Sequence, residues 1–110
     1  MKPDSFSGTR QANQIGAVCP QFDPNQLLPT MIGDEDCLFL NIWSSQSEGS
    51  SKPVMFFIHG GGNVIGSADQ GGLYDGQRFA SEHEVVLVSI NYRLGPLGWF
   101  SHHALRETES

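Results

Sequence analysis

Residues 54–58 form an apolar run that ends in His59 and three consecutive glycines, Gly60, Gly61 and Gly62. A run of this kind predicts a strand inside a sheet, because its side chains must leave water on both faces. Glycines at the end of a strand predict a tight loop with positive φ angles and bare backbone N–H groups. Because such groups can bind a developing negative charge, the sequence predicts a sheet with an anion-binding loop at one edge.

The chain offers that loop no nucleophile. A G-x-S-x-G sequence, which presents a serine on a sharp turn, occurs nowhere in the 110 residues. Ser67 follows Gly66 in no comparable sequence, and we interpret it as a turn hydroxyl. His59 could act as a general base, but we interpret it as a structural histidine whose hydrogen bonds are satisfied.

Size and charge narrow the function classes. With 110 residues, of which 38% are hydrophobic and 16% charged, the chain is at most one small globular domain. Its formal net charge of −6 argues against nucleic acid or an anionic membrane as a partner. No apolar run approaches the ~18 residues of a membrane span, and the first residues show no signal peptide.

The order of the apolar runs predicts an α/β sheet that follows an irregular arm. Prolines and glycines interrupt residues 1–33, which leaves room for one short strand near residues 15–18. Residues 34–104 are predicted to hold the sheet, with further buried strands at 37–43 and 85–92.

The connections between these strands are also predicted. The polar residues 44–52 indicate a surface hairpin, and residues 93–100 indicate a turn. Residues 54–92 read as strand, loop, helix and strand, which predicts a parallel pair. The helix is expected to begin near Asp75 and Gly76 and to place Phe79 and Ala80 on its inner side.

Three apolar strands and one helix leave at least one face of the sheet uncovered. A parallel sheet is stable with cover on both faces. We therefore expect more chain, or a partner, to cover the second face.

Cys19 and Cys37 are the only cysteines of the chain. As a disulfide they would close a loop worth ~3 kcal/mol in the chain-entropy model. As unpaired thiols they would suit a reducing compartment. Composition leaves both readings open.

Four motifs resemble the type-B carboxylesterases, the α/β-hydrolase family that includes the cholinesterases. In the family's order they are E-D-C-L-F-L-N at 35–41, H-G-G-G at 59–62, N-Y-R-L-G at 91–95 and G-W-F at 98–100. Members of that family are several times longer. The resemblance therefore implies that residues 1–110 are the N-terminal segment of a carboxylesterase type-B domain.

The resemblance assigns roles to the glycine loop and implies that His59, at the end of the strand, shapes it. It implies that Gly61 and Gly62 donate N–H groups to the oxyanion of a tetrahedral intermediate, with Gly60 and Asn63 beside them in the substrate pocket. The third donor follows the nucleophilic serine, which this chain lacks. Asn63 departs from the aromatic or bulky residue usual in the family, so a polar substrate group is expected to fit there.

The resemblance also suggests structural pairs. It implies a disulfide between Cys19 and Cys37, which favours a secreted or periplasmic location. It implies that Glu35 meets an upstream arginine, for which Arg10 is the only candidate. Arg93 would pair with an acid that lies beyond these residues.

The function implied is that of the N-terminal portion of a serine esterase that supplies the oxyanion loop. We expect it to be inactive alone and to need a small carboxylic ester and the remainder of the α/β-hydrolase chain as partners, with no cofactor or metal. One alternative is a cholinesterase-like protein that binds in adhesion without catalysis. Another is an inactive, truncated gene product.

Overall fold

The computed structural model of this protein describes residues 7–9, 11–45 and 51–106. Its elements in chain order are β1 (Gln21–Phe22), β2 (Met31–Ile32), β3 (Leu40–Ser44), β4 (Val54–Ile58), α1 (Gln77–His83), β5 (Val86–Ile90), α2 (Gly95–Trp99) and α3 (His103–Arg106). Within these described ranges, no helix has the length and apolar character that a membrane crossing requires.

The main sheet has three strands in the order β3-β5-β4. β4 and β5 are parallel and joined through α1, as the strand–helix–strand pattern predicts. β3 is antiparallel to β5. The architecture is therefore the α/β sheet expected from the sequence.

The predicted hairpin over residues 44–52 is wrong. β3 and β4 are not hydrogen-bonded neighbours, because β5 lies between them. The connection therefore carries the chain from one edge of the sheet to the other, and its residues 46–50 lie outside the described residues. A polar loop shows that two strands are connected, but it does not determine which strand each of them pairs with.

The arm also differs from its prediction. Residues 15–18 form no strand, whereas β1 and β2 pair as a two-residue antiparallel ladder. The backbone carbonyls of the expected strand bond elsewhere: Val18 O accepts from Asp34 N at 2.9 Å, and Ala17 O accepts from Asn91 Nδ2 at 3.0 Å. These bonds tie the arm to the sheet domain without adding a strand to it.

Cys19 and Cys37 form a disulfide. Both are almost fully buried, with exposed fractions of 1% and 0%, and they form a small core with Leu94, against which Tyr92 packs. The bond joins the arm to the segment that enters β3. Of the two readings that composition leaves open, the structure has the paired one.

Helix α1 lies over one face of the sheet. It begins after Gly76 and ends before Glu84, which is left-handed (φ 52°). Ala80 is buried as predicted, whereas Phe79 is 39% exposed because its ring lies towards His83 at the end of the helix. A Cβ atom at Gly76 would lie 2.5 Å from the Leu87 side chain and 2.8 Å from that of Trp43. Glycine therefore lets the helix start close to β3 and β5.

The other face of the sheet is uncovered in the described structure, as the strand composition predicts. The strand registers place alternate residues of β3, β4 and β5 on this face. We call it the open face; its exposed apolar side chains are those of Leu40, Ile42, Val54, Phe56 and Ile58. Each is more than half exposed.

The segment predicted as a turn at residues 93–100 contains the one-turn helix α2. Pro96 stands in its first turn, where the fixed φ of proline favours helix and no N–H is needed. The helix ends at Phe100, whose N–H donates to Pro96 O at 3.2 Å.

Two adjacent phenylalanines test the assignment of the faces. Phe57 packs edge-on against Tyr74 with ring centroids 4.9 Å apart, whereas Phe56 is 56% exposed on the open face. We expect Phe57→Ala to lower the free energy of unfolding by roughly 2–3 kcal/mol, because it removes the ring that packs on Tyr74 and leaves a cavity there. Phe56→Ala should change it by about 0.5 kcal/mol or less. Urea unfolding of both variants measures the difference, and equal losses would contradict the assignment.

The disulfide should contribute ~3 kcal/mol to stability, because it shortens the free loop of the unfolded chain. We expect Cys19→Ser, Cys37→Ser and the double variant to lose the same amount in urea unfolding, since each removes the same bond. Thiol titration of the denatured, unreduced wild-type chain should find no free thiol. Two titratable thiols, or single variants as stable as the wild type, would show that the bond is absent in solution.

Candidate functional site

The glycine loop, residues 59–66, leaves the sheet at the end of β4. Ile58 pairs with Ile90 in the parallel ladder, so His59 and Asn91 leave their strands side by side. The carboxyl ends of parallel strands are the usual place for ligand sites in α/β sheets. The register of two strands therefore brings together two of the motifs seen in the sequence.

Three consecutive residues of the loop have positive φ angles: Gly61 (119°), Gly62 (62°) and Asn63 (62°). Val64 N and Ile65 N both donate to Gly61 O, at 3.1 and 3.2 Å, and close the turn. A Cβ atom at Gly61 would lie 1.8 Å from Ile65 O, so only glycine fits there. At Gly62 a Cβ atom would meet nothing within 4 Å, so the backbone conformation alone favours glycine and the space beside it is open.

The N–H groups of Gly61 and Gly62 have no hydrogen-bond acceptor among the described residues. Both residues are exposed. The turn uses the Gly61 carbonyl as acceptor and the N–H groups of Val64 and Ile65 as donors, so it does not use these two N–H groups. Two adjacent free N–H groups can bind an anionic oxygen.

His59 is buried behind the loop, with 3% of its surface exposed. Its Nδ1 lies 2.7 Å from Gly60 O, and its ring stacks on that of Tyr92 with centroids 4.4 Å apart. The Tyr92 hydroxyl donates to His59 O at 2.9 Å. His59 Nε2 has no partner within the part of the chain that the structure describes.

Gln21 holds the far end of the loop. Its Nε2 donates to Gly66 O at 2.9 Å and to Cys19 O at 3.0 Å, while its Oε1 accepts from Gly66 N at 2.7 Å. The side chain is only 6% exposed. The arm thus satisfies both backbone groups of Gly66, as a neighbouring strand would do.

Asn63 has a backbone role as well as its predicted place beside the pocket. Its φ of 62° is unusual for a residue with a side chain, and asparagine tolerates this region better than bulkier residues do. Its carbonyl accepts from Gly95 N at 2.7 Å, which joins the loop to the start of α2. The backbone of Asn63 thus contributes to the loop independently of its side chain.

Asn91 is a second residue that links this region to the arm, at the chain just after the loop. Its Oδ1 accepts from Ala68 N at 2.7 Å, and its Nδ2 donates to Ala17 O at 3.0 Å. In the sequence this residue stands out only as part of a motif. Its position directly after a buried strand is the signal of a role at the sheet edge.

The structure brings some predicted site residues together and leaves others untested. Gly60 to Asn63 share one loop. The disulfide joins the arm, which bonds this loop through Gln21, to the segment before β3. Arg10, the predicted partner of Glu35, lies outside the described residues. Gln21, Gly66 and Tyr92 were not predicted as site residues, because their contacts with the loop join distant parts of the chain. Among the described residues, no three His, Cys, Asp or Glu side chains are grouped so as to hold a metal ion.

Comparison with known proteins extends these observations. The model of the carboxylesterase family matches residues 1–108. Pyrethroid hydrolase Ces2a of Mus musculus is 43% identical over 110 residues, covering 90% of this chain and 19% of the relative. Para-nitrobenzyl esterase of Bacillus subtilis (strain 168) is 34% identical over 113 residues, covering 98% of this chain and 22% of the relative.

A solved structure agrees in fold. A thermophilic PNB esterase superposes with a TM-score of 0.70 and 38% identity, over 84% of this chain and 20% of that one. The chain thus spans about a fifth of the length of the relatives that it matches.

The hold of Gln21 on the loop can be measured. We expect Gln21→Ala to lower the free energy of unfolding by roughly 1–3 kcal/mol, because it leaves the buried N–H and C=O of Gly66 without partners. Gln26→Ala is the matched control, because that side chain is exposed and makes no hydrogen bond to any described residue. Hydrogen exchange at Gly66 N–H should become faster in Gln21→Ala alone. Unchanged exchange would show that Gln21 does not hold the loop.

Proposed function

Because this chain belongs to the carboxylesterase family, we propose that its glycine loop is the oxyanion hole of a serine esterase. In this proposal the N–H groups of Gly61 and Gly62 are the donors, and Gly60 and Asn63 lie beside the ester. The serine nucleophile, its base and the orienting acid come from polypeptide outside these residues. The substrates are carboxylic esters, the class named in relatives such as para-nitrobenzyl esterase.

One observation carries the proposal: two adjacent N–H groups at the carboxyl end of a parallel strand have no acceptor of their own in the described chain. When a nucleophile adds to an ester carbonyl, negative charge develops on the carbonyl oxygen. Donors that are already fixed stabilise this charge without reorganising, and losing one of them typically costs about 10²–10³ in kcat. The turn around Gly61 and the bonds of Gln21 supply that fixed geometry.

The same residues explain why turnover is proposed only for a longer protein. The loop can orient an ester and stabilise its transition state, but a serine must attack the carbonyl carbon and a base must take its proton. We propose that residues 1–110 are the N-terminal segment of the domain that contains those groups. The buried disulfide supports an oxidising compartment such as the periplasm or the outside of the cell.

A hybrid enzyme tests the proposal. This chain would replace the matching segment of the Bacillus subtilis para-nitrobenzyl esterase, and we call the product the hybrid esterase. Gly62→Ala should lower its kcat about 10²-fold or more, because the methyl group enters the open side of the loop and the left-handed backbone is strained.

Gly71→Ala is the matched control. Gly71 resembles Gly62 in having a φ of 64° and open space for 4 Å around the position that a Cβ atom would take, but it lies outside the glycine loop. Its variant should keep kcat within a few-fold while losing similar stability. Equal kcat in the two variants, or a folded hybrid esterase that hydrolyses no ester, would refute the oxyanion assignment.

A further inference from the structure

We infer that His59 is a positioning residue for this loop: its Nδ1–H holds the Gly60 carbonyl and thereby orients the peptide group whose N–H is the Gly61 donor, next to the Gly62 donor that the turn at Gly61 O fixes. The inference rests on the proposed function of the loop. It gives His59 no contact with the substrate and no part in proton transfer. It does assign the residue an effect on kcat.

The hydrogen-bond partners decide which nitrogen of His59 carries a hydrogen. Nδ1 lies 2.7 Å from Gly60 O. A carbonyl oxygen only accepts hydrogen bonds, so Nδ1 must be the donor. In the neutral imidazole Nε2 then has no hydrogen, and it is the nitrogen that has no partner among the described residues. The geometry thus selects one tautomer.

The imidazole is held in place from two sides. Tyr92 stacks on the ring at 4.4 Å and 16°, and its hydroxyl bonds the His59 carbonyl at 2.9 Å. On the other side, a Cβ atom at Gly66 would lie 2.5 Å from His59 Nδ1 and 2.6 Å from Gly60 O. A glycine at position 66 therefore leaves the space that the Nδ1–H bond occupies. The ring is thus packed between Tyr92 and Gly66, with Nδ1 against the Gly60 carbonyl.

Stability alone does not explain a histidine at this position. The residue is 3% exposed and buries a nitrogen that has no partner among the described residues, which folded proteins generally avoid. A phenylalanine would fill the same space and stack on Tyr92 without burying an unpaired acceptor. What it could not do is donate to Gly60 O. Among the described residues, the bond to Gly60 O is thus the contact of the ring that requires a side-chain donor.

Two substitutions in the hybrid esterase separate these roles. His59→Phe keeps an aromatic ring but no donor, whereas His59→Asn has a side-chain amide that can reach the place of Nδ1. We expect His59→Phe to lower kcat roughly 10²-fold through misplaced donors, with KM within a few-fold and the melting temperature unchanged or raised. His59→Asn should recover most of the lost kcat.

His83→Phe is the matched control. His83 also contacts an aromatic ring, that of Phe79 at 4.5 Å, but it is exposed at the end of α1. Its variant should keep kcat. If His59→Phe keeps kcat while Gly62→Ala loses it, the positioning role is wrong and the oxyanion loop stands. If Gly62→Ala keeps kcat, the proposed function itself fails.

Two further results would overturn the inference. A large fall in melting temperature that accompanies the loss of kcat in His59→Phe, without recovery in His59→Asn, would make His59 a purely structural residue. Nitrogen-15 NMR of the 110-residue chain reads the tautomer without any activity. We expect hydrogen on Nδ1, and a ring that carries its hydrogen on Nε2 alone would exclude the bond to Gly60 O.

Discussion

The two-way hydrogen bond between Gln21 and the backbone of Gly66 is the interaction on which the loop depends. β4 fixes the start of the loop, but no strand of the described sheet bonds Gly66 near its end, and Asn91 after β5 bonds Ala68, which lies further along the chain. Gln21 supplies that second anchor from the arm, at a sequence separation of 45 residues. The disulfide of Cys19, two residues away, ties the same part of the arm to the segment that enters β3. An otherwise irregular arm thus defines the shape of the site.

Local patterns predicted the elements but not all of their neighbours. The strands at β4 and β5 and the helix between them follow from apolar runs and a glycine at the helix start, which act within a few residues. The order β3-β5-β4 does not follow from such signals, because a strand's partner depends on the whole sheet. The same limit explains the arm, where backbone groups expected in a strand bond instead to Asp34 and Asn91.

The residues of the site likewise fall into those that the sequence predicts and those that it does not. The glycines at 60–62 could be predicted, because they follow a strand and match a known motif. The contacts of Gln21 and Tyr92 could not, since each joins parts of the chain that are far apart and involves backbone atoms that leave no trace in sequence. Asn63 shows an intermediate case: its unusual identity was visible, whereas its left-handed backbone needed coordinates.

The open face has a consequence for biosynthesis. During translation of a longer polypeptide, β3, β4 and β5 are synthesised and leave the ribosome before the segments that follow them. At about 5–20 residues per second, every further hundred residues of translation leave the face exposed for roughly 5–20 s. Strand pairing within the nascent chain is far faster than that, so the sheet can form while one side of it is still bare. In such a polypeptide, the exposed apolar side chains of this face can associate with other chains until later residues cover them.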